Sequence, residues 1–154
     1  MSRLTLTPIL SFVAGSALAC ASPLSPGESR ALDEAQARWA ARTFQSYSFE
    51  TRIGCFCPPI LNEWSRVEVV NGSVTRVVLL ESGTEVSPEE RVYFRTVEQV
   101  FDDIRAASRH EWVKDVVVRF DPELGYPTLI RLVPEEGILD AGSEQHLRNA
   151  AALP

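Results

Sequence analysis

The sequence predicts an α+β fold: a mainly antiparallel sheet of five or six strands with two helices packed on one face. Two observations carry that prediction. Two capped segments repeat apolar residues at helical spacing, while others alternate apolar and polar residues as half-buried strands do. The resulting order, α-β-β-β-α-β-β-β, lacks the strand–helix–strand alternation of a parallel sheet.

The first helix starts at Ser25-Pro26-Gly27-Glu28. Ser25 can cap, Pro26 suits the first helical position and Glu28 completes a capping box. Ala31, Leu32, Ala35, Trp39 and Thr43 then form one stripe, predicting a helix from about Pro26 to Thr43 that packs through Leu32 and Trp39. From Tyr47 the period becomes two: Tyr47, Phe49, Thr51 and Ile53 alternate with Ser48, Glu50 and Arg52. A second strand, Trp64 to Val70, runs into Asn71-Gly72, a strong hairpin signal because both turn positions need positive φ. The third strand continues from Ser73 to about Leu80. A two-residue turn pairs Val69 with Val74 and Val67 with Arg76, and the expected core face carries Val67, Val69, Val74 and Val78.

Ser87-Pro88-Glu89-Glu90 can start a helical turn in the polar connection that follows. Thr96-Val97-Glu98-Gln99 caps the second helix, whose stripe is Val97, Val100, Phe101 and Ile104 and whose end is expected near Ser108-Arg109-His110. Val116, Val118 and Phe120 mark a fourth strand. Asp121 to Pro127 makes a turn, and Thr128 to Val133 a fifth strand. A last strand near Gln145 to Asn149 is weakly patterned, and Ala150-Ala151-Ala152 would equally continue a helix.

Ahead of this domain, Arg3 precedes the apolar run Ile9-Leu10-Ser11-Phe12-Val13-Ala14, which closes on Ala17-Leu18-Ala19-Cys20. That is the layout of an export signal with a small-residue cleavage site. The chain divides accordingly into a signal peptide (1–19), a tether (20–25) and one α+β domain (26–154). A cysteine directly after the cut suits lipoprotein maturation, with Cys20 as the lipidated residue; simple secretion into the periplasm is the alternative. The run is shorter than the roughly 20 apolar residues of a membrane span. The expected location is extracytoplasmic, on the membrane of the cell envelope through an N-terminal lipid anchor.

The formal charge of −6, with Lys114 the one lysine, sets the chain against phosphate backbones, so no nucleic-acid partner is expected. Neither a nucleophile elbow nor a phosphate-cradling glycine loop occurs, so no catalytic residue and no cofactor are expected. Asp102, Asp103, Asp121 and Glu123 suit exposed helix and turn positions. His110 follows the second helix, where a cation complements the helix dipole. His146 reads as a solvated residue of a polar tail.

Cys55 and Cys57 occupy Gly54-Cys55-Phe56-Cys57-Pro58-Pro59. In an oxidising compartment a disulfide between them is the first expectation. A straight strand would hold their Cβ atoms about 6.6 Å apart, against the roughly 3.5–4.5 Å a disulfide needs. The bond therefore requires a bend, which Gly54 and the two prolines permit. Two other readings stay open. A redox dithiol would lack the two-residue spacing and helix N-terminus of thioredoxin-type chemistry. A metal site would need His110 and His146 to join the thiolates from distant segments, and no metal is expected.

Tyr47-Ser48-Phe49, Cys55-Phe56-Cys57-Pro58 and a valine-rich Asn-Gly hairpin, followed by Phe120-Asp121-Pro122 and Gly125-Tyr126-Pro127, resemble a group of bacterial secreted and lipid-anchored proteins, the domain-of-unknown-function family 6174. The resemblance runs from about Trp39 to Asn149. It implies export, a single α+β domain and paired cysteines, and it brings no established activity. The chain departs from the pattern near its end, where Val133-Pro134 stands in place of acidic residues on the fifth strand and Asp140-Ala141-Gly142 in place of a closing pair of aspartates. The expected function is that of an exported envelope lipoprotein acting as a non-enzymatic binding or structural module, its partner an envelope protein or ligand of unknown identity. The alternative is a thiol-based redox or metal-handling protein centred on Cys55 and Cys57.

Overall fold

The structure, a computed structural model, describes residues 23–138 and 140–154. The expected signal peptide (1–19) and Cys20 lie outside the described residues. Two helices, α1 (Pro26–Ala40) and α2 (Val97–Ala107), accompany six strands: β1 (Tyr47–Gly54), β2 (Ser65–Val70), β3 (Ser73–Leu79), β4 (Val113–Phe120), β5 (Pro127–Pro134) and β6 (Ser143–Ala152). The sheet order is β3-β2-β1-β6-β5-β4, and every neighbouring pair is antiparallel. Two three-stranded meanders are thus sewn together by the pairing of the first and last strands. The α+β class and the element order agree with the sequence, and the last strand is fully formed.

Both helices begin as their sequences dictate. Ser25 accepts from the Glu28 amide while Glu28 reaches back to the Ser25 amide, and Thr96 and Gln99 repeat the exchange at α2. The first helix ends at Ala40, before the expected Thr43, and buries Leu32, Ala35 and Trp39. The second buries Val97, Val100, Phe101, Ile104 and Ala107. Both stripes cover one face of the sheet, which offers Tyr47, Phe49, Val67, Val69, Val116 and Leu147 in return. Each large side chain so buried contributes about 1.5–3 kcal/mol relative to exposure. Leu24, placed by sequence in the tether, is also buried, so the packed body begins ahead of α1.

Two bulges set the register. In β3 the pairing shifts between Glu68 and Val69, so Val67 faces Val77 and not Arg76. The extra residue puts Val77 in the core and turns Val78 to the outer face, correcting the expected parity. In β6, Arg148 pairs with Glu50 and Ala151 with Ser48, leaving one residue more on β6 than on β1. Asn149 absorbs it at φ 56°, a left-handed conformation that asparagine tolerates better than most residues.

Gly125 explains the tight turn before β5. Its φ is +83°, and a Cβ there would stand 2.3 Å from the carbonyl oxygen of Ala35. The turn therefore approaches α1 as closely as backbone allows, which sets Tyr126 edge-on to Trp39 with ring centroids 6.1 Å apart.

The helical layer is narrower than the sheet. Six strands at about 4.8 Å span roughly 29 Å, while two helices cover about 20 Å. The chain around Val86 and Phe94 covers the β2–β3 flank. The corner where β1 ends and β6 begins stays uncovered and forms a cleft of about 330 Å³ beside α2.

Candidate functional site

The sheet face opposite the helices carries many charged side chains and no helix of the described residues. Alternation sends Arg66, Arg76, Arg52, Arg148, Arg131 and Arg119 to this face, against the carboxylates Glu68, Glu50, Glu144 and Asp115, with Glu85 reaching Arg76 from beyond β3. A net acidic chain thus gathers six of its arginines on one side, four of them paired with carboxylates.

Its centre is Glu50. The side chain is 10% exposed although it points away from the core, because it is covered by its own partners. Arg66 donates to Oε1 at 3.2 Å, and Arg148 and Asn149 donate to Oε2 at 2.8 and 3.0 Å. Burial raises the carboxyl, and the bonds from Arg148, Arg66 and Asn149 outweigh it and hold Glu50 below the usual carboxylate range. The β6 bulge supplies Asn149. Arg148 also lies 3.8 Å from the centroid of Trp64, and Arg52 approaches the same ring at 5.4 Å. Among the described residues Arg52 and Arg119 have no carboxylate at ion-pair distance. Guanidinium forks of this kind match carboxylate and phosphate groups.

His146 departs from its expected place. It sits half-buried on β6, opposite Arg52, with Nε2 2.8 Å from Glu144 and its ring 6.4 Å from Trp64. Glu144 is held below the usual range by His146 first and then by Arg131. His110 stays exposed beyond α2, stacked 6.0 Å from Trp112, and its amide donates to the Ala107 carbonyl. The two histidines lie on different elements, and among the described residues no three His, Cys, Asp or Glu side chains gather to hold a metal.

Cys55 and Cys57 lie at disulfide-bonding distance with Cα atoms 5.2 Å apart. The strand stops at Gly54 and the chain bends through both cysteines into a short turn at Pro59–Leu61. Phe56, between them, is 90% exposed. Of the acidic candidates, Asp121 accepts from the Glu123 and Leu124 amides and so shapes the turn before β5. Asp103 pairs with Arg95 at 3.3 Å, while Asp102 and Glu123 face solvent.

A second carboxylate cluster escaped the sequence reading. Glu98, in the first turn of α2, accepts from Trp39 Nε1 at 2.9 Å, Arg42 Nη2 at 2.6 Å and the Tyr47 hydroxyl at 2.5 Å. Tyr47 in turn accepts from the Val97 amide at 3.1 Å. Arg42 lies over Trp39 at 4.2 Å and is 9% exposed. Burial raises Glu98, but its bonds from Tyr47, its own amide and Trp39, with the charge of Arg42, keep it below the usual range. Burial and the bond to Glu98 push the Tyr47 phenol far above its own. The cluster ties α1, β1 and α2 together; Arg42 uses Nη1 on the Trp39 carbonyl and Nη2 on Glu98, while its buried Nε has no hydrogen-bond partner among the described residues. Its sequence signal is an acidic residue after a cap, a pattern that reads equally well as dipole pairing.

No curated protein and no solved structure matches the chain. A family model described as a family of unknown function, DUF6174, matches residues 31–151, from α1 into β6. The chain belongs to that family.

Proposed function

We propose that the chain is an exported envelope protein, anchored through a lipid on Cys20, that acts by binding an anionic partner on the outer sheet face and carries out no reaction. The observation behind this reading is the arginine-rich face around Trp64, set on a chain of net charge −6. Arg52 stands beside Trp64 without a carboxylate of its own among the described residues. Glu50 and Asn149 hold Arg148 in place, so part of the ordering cost of binding is met before a partner arrives. A small-residue site ending in cysteine supports the anchor. In the oxidising envelope the cysteine pair closes as a disulfide at the end of β1.

Pull-down from envelope extracts with the mature domain tests the binding role. The wild type should retain a partner that elutes with salt, and Arg52→Glu with Arg148→Glu should lose it. Capture that ignores both substitutions, or a reproducible turnover by the purified domain, overturns the reading. Labelled palmitate should enter the wild type and not Cys20→Ser; a native mature mass without acyl chains excludes the anchor.

A further inference from the structure

The two edges of the sheet differ. Along β3 the following segment covers the edge: the Val86 amide donates to the Val77 carbonyl, the Leu79 amide to the Thr84 carbonyl, and Arg91 to the Thr75 carbonyl. The other edge, β4, has β5 on one side, and among the described residues no strand pairs along its other side. An edge of this kind keeps alternate N–H and C=O groups available to a further strand. The usual blocks are missing: β4 holds no proline or glycine, and its one lysine, Lys114, turns to Glu136.

Pairing shifts after Val113 and after Arg119 leave Asp115-Val116-Val117-Val118-Arg119 as the regular stretch of this edge. Val116 and Val118 face the helices, the first fully buried and the second packed against the core. Asp115, Val117 and Arg119 alternate with them on the outer face. Asp115 and Arg119 lie beside Val133 and Leu129 of β5, and neither has an ion pair among the described residues.

The stretch therefore reads acid, three valines, base, and it complements itself. Laid antiparallel on a second copy about Val117, it sets Asp115 opposite Arg119 twice and Val116 opposite Val118 twice, with Val117 facing its own copy. Opposite charges so placed attract, and like charges repel. A register centred on Val118 would set Asp115 against Asp121, and one centred on Val116 would leave both charges facing valines. A one-residue slip would reverse the face of every side chain. A parallel pairing in register would set like charges together.

We infer that the β4 edge is a docking surface for a second copy of this chain, the two strands pairing antiparallel about a two-fold axis at Val117. Two six-stranded sheets then continue into one. The contact is short, with about four to six backbone hydrogen bonds, so the dimer is a weak, reversible one. It requires neither Arg52 nor Arg148 nor the lipid anchor, and it stands or falls apart from the binding role of the outer face.

The test is sedimentation velocity on the mature chain carrying Cys20→Ser, from about 10 μM to about 1 mM, where so small an interface should associate. A reversible monomer–dimer equilibrium is expected. Asp115→Arg and Arg119→Asp each set like charges opposite one another and should weaken the dimer about tenfold or more. Mixing these two variants restores both opposite-charge pairs and should yield a mixed dimer of near wild-type affinity, and a chain carrying both changes should dimerise by itself. Val117→Lys brings two ammonium groups to the axis and should abolish association. Val117→Cys should cross-link to its own copy under mild oxidation, whereas Val78→Cys, outward on β3, should not. A chain that stays monomeric throughout overturns the interface. A dimer indifferent to the single charge changes or to Val117→Lys overturns the edge, and a mixture that fails to associate overturns the register.

Discussion

Glu98 and Glu50 stand on opposite sides of one sheet, and both are surrounded by arginine and aromatic side chains. Glu98 belongs to the helical layer. Its partners Trp39 and Tyr47 are each 1% exposed, and Arg42 is pressed onto the indole. Glu50 belongs to the outer face, where Arg66 and Arg148 remain half-exposed and Trp64 has no helix over it. The same residue types therefore serve different ends. Under the helices the cluster is a joint in which Glu98 binds Trp39, Arg42 and Tyr47 at once. On the outer face it is a surface that keeps guanidinium groups in order and within reach of solvent. A guanidinium that is buried, as Arg42 is, is screened little and is costly to strip of its partner, whereas the half-exposed Arg66 and Arg148 can turn to water and stay available to a partner.

Three measurements can sharpen or break this contrast. The largest effect is expected from Trp39→Ala, which removes the ring shared by Tyr47, Tyr126 and Arg42. Urea denaturation should show a loss of about 3–5 kcal/mol; a loss near that of a surface substitution would mean that the inner cluster is no joint.

Glu98→Gln should come second, at about 2 kcal/mol near pH 7. It disturbs three donors at once, and the figure is discounted because the carboxylate is 43% exposed. Its pH dependence gives an independent check. The folded carboxyl sits below its ordinary value of 4.5, so its contribution is present above that value and is lost as pH falls from there through the folded pKa. Thermal melts at descending pH should show the wild type losing part of its advantage over Glu98→Gln below about pH 4.5. A constant difference across that range would contradict the assignment.

Glu50→Gln should cost least, about 1 kcal/mol, because its arginine partners can turn to water. Its carboxyl is also lowered, so its contribution fades over the same acid range. If Glu50→Gln proves as damaging as Glu98→Gln, the outer cluster is a structural joint as well, and the argument for an available face weakens.

How far these two regions could be read in advance follows from how local their causes are. The capping boxes at Ser25 and Thr96, the stripe of α2, the Leu32 and Trp39 contacts of α1 and the Asn71-Gly72 turn each need a few adjacent residues, and each formed as its sequence indicates. The bend at Cys55 and Cys57 was legible too, because glycine and proline act on their immediate neighbours. The strand β6 was barely legible. Its inward positions Ser143 and Gln145 are polar because they rim a cleft, and Asn149 breaks the alternation with a bulge. The Val77 register shift stayed hidden for the same reason, since a bulge inserts one residue without a mark in the period.

By itself the sequence determined the helices, their caps, the turn of the first hairpin and the inward parity of β1, all set by backbone preference and by burial of every second or every third to fourth side chain. Tertiary structure alone decided that β6 lies at the middle of the sheet against β1, that Glu98 meets Trp39, Arg42 and Tyr47, and that Arg148 and Asn149 reach Glu50. Those contacts join residues some fifty to a hundred positions apart. They form only after the chain has closed on itself, and local periodicity carries no record of which distant surface an alternating segment will meet.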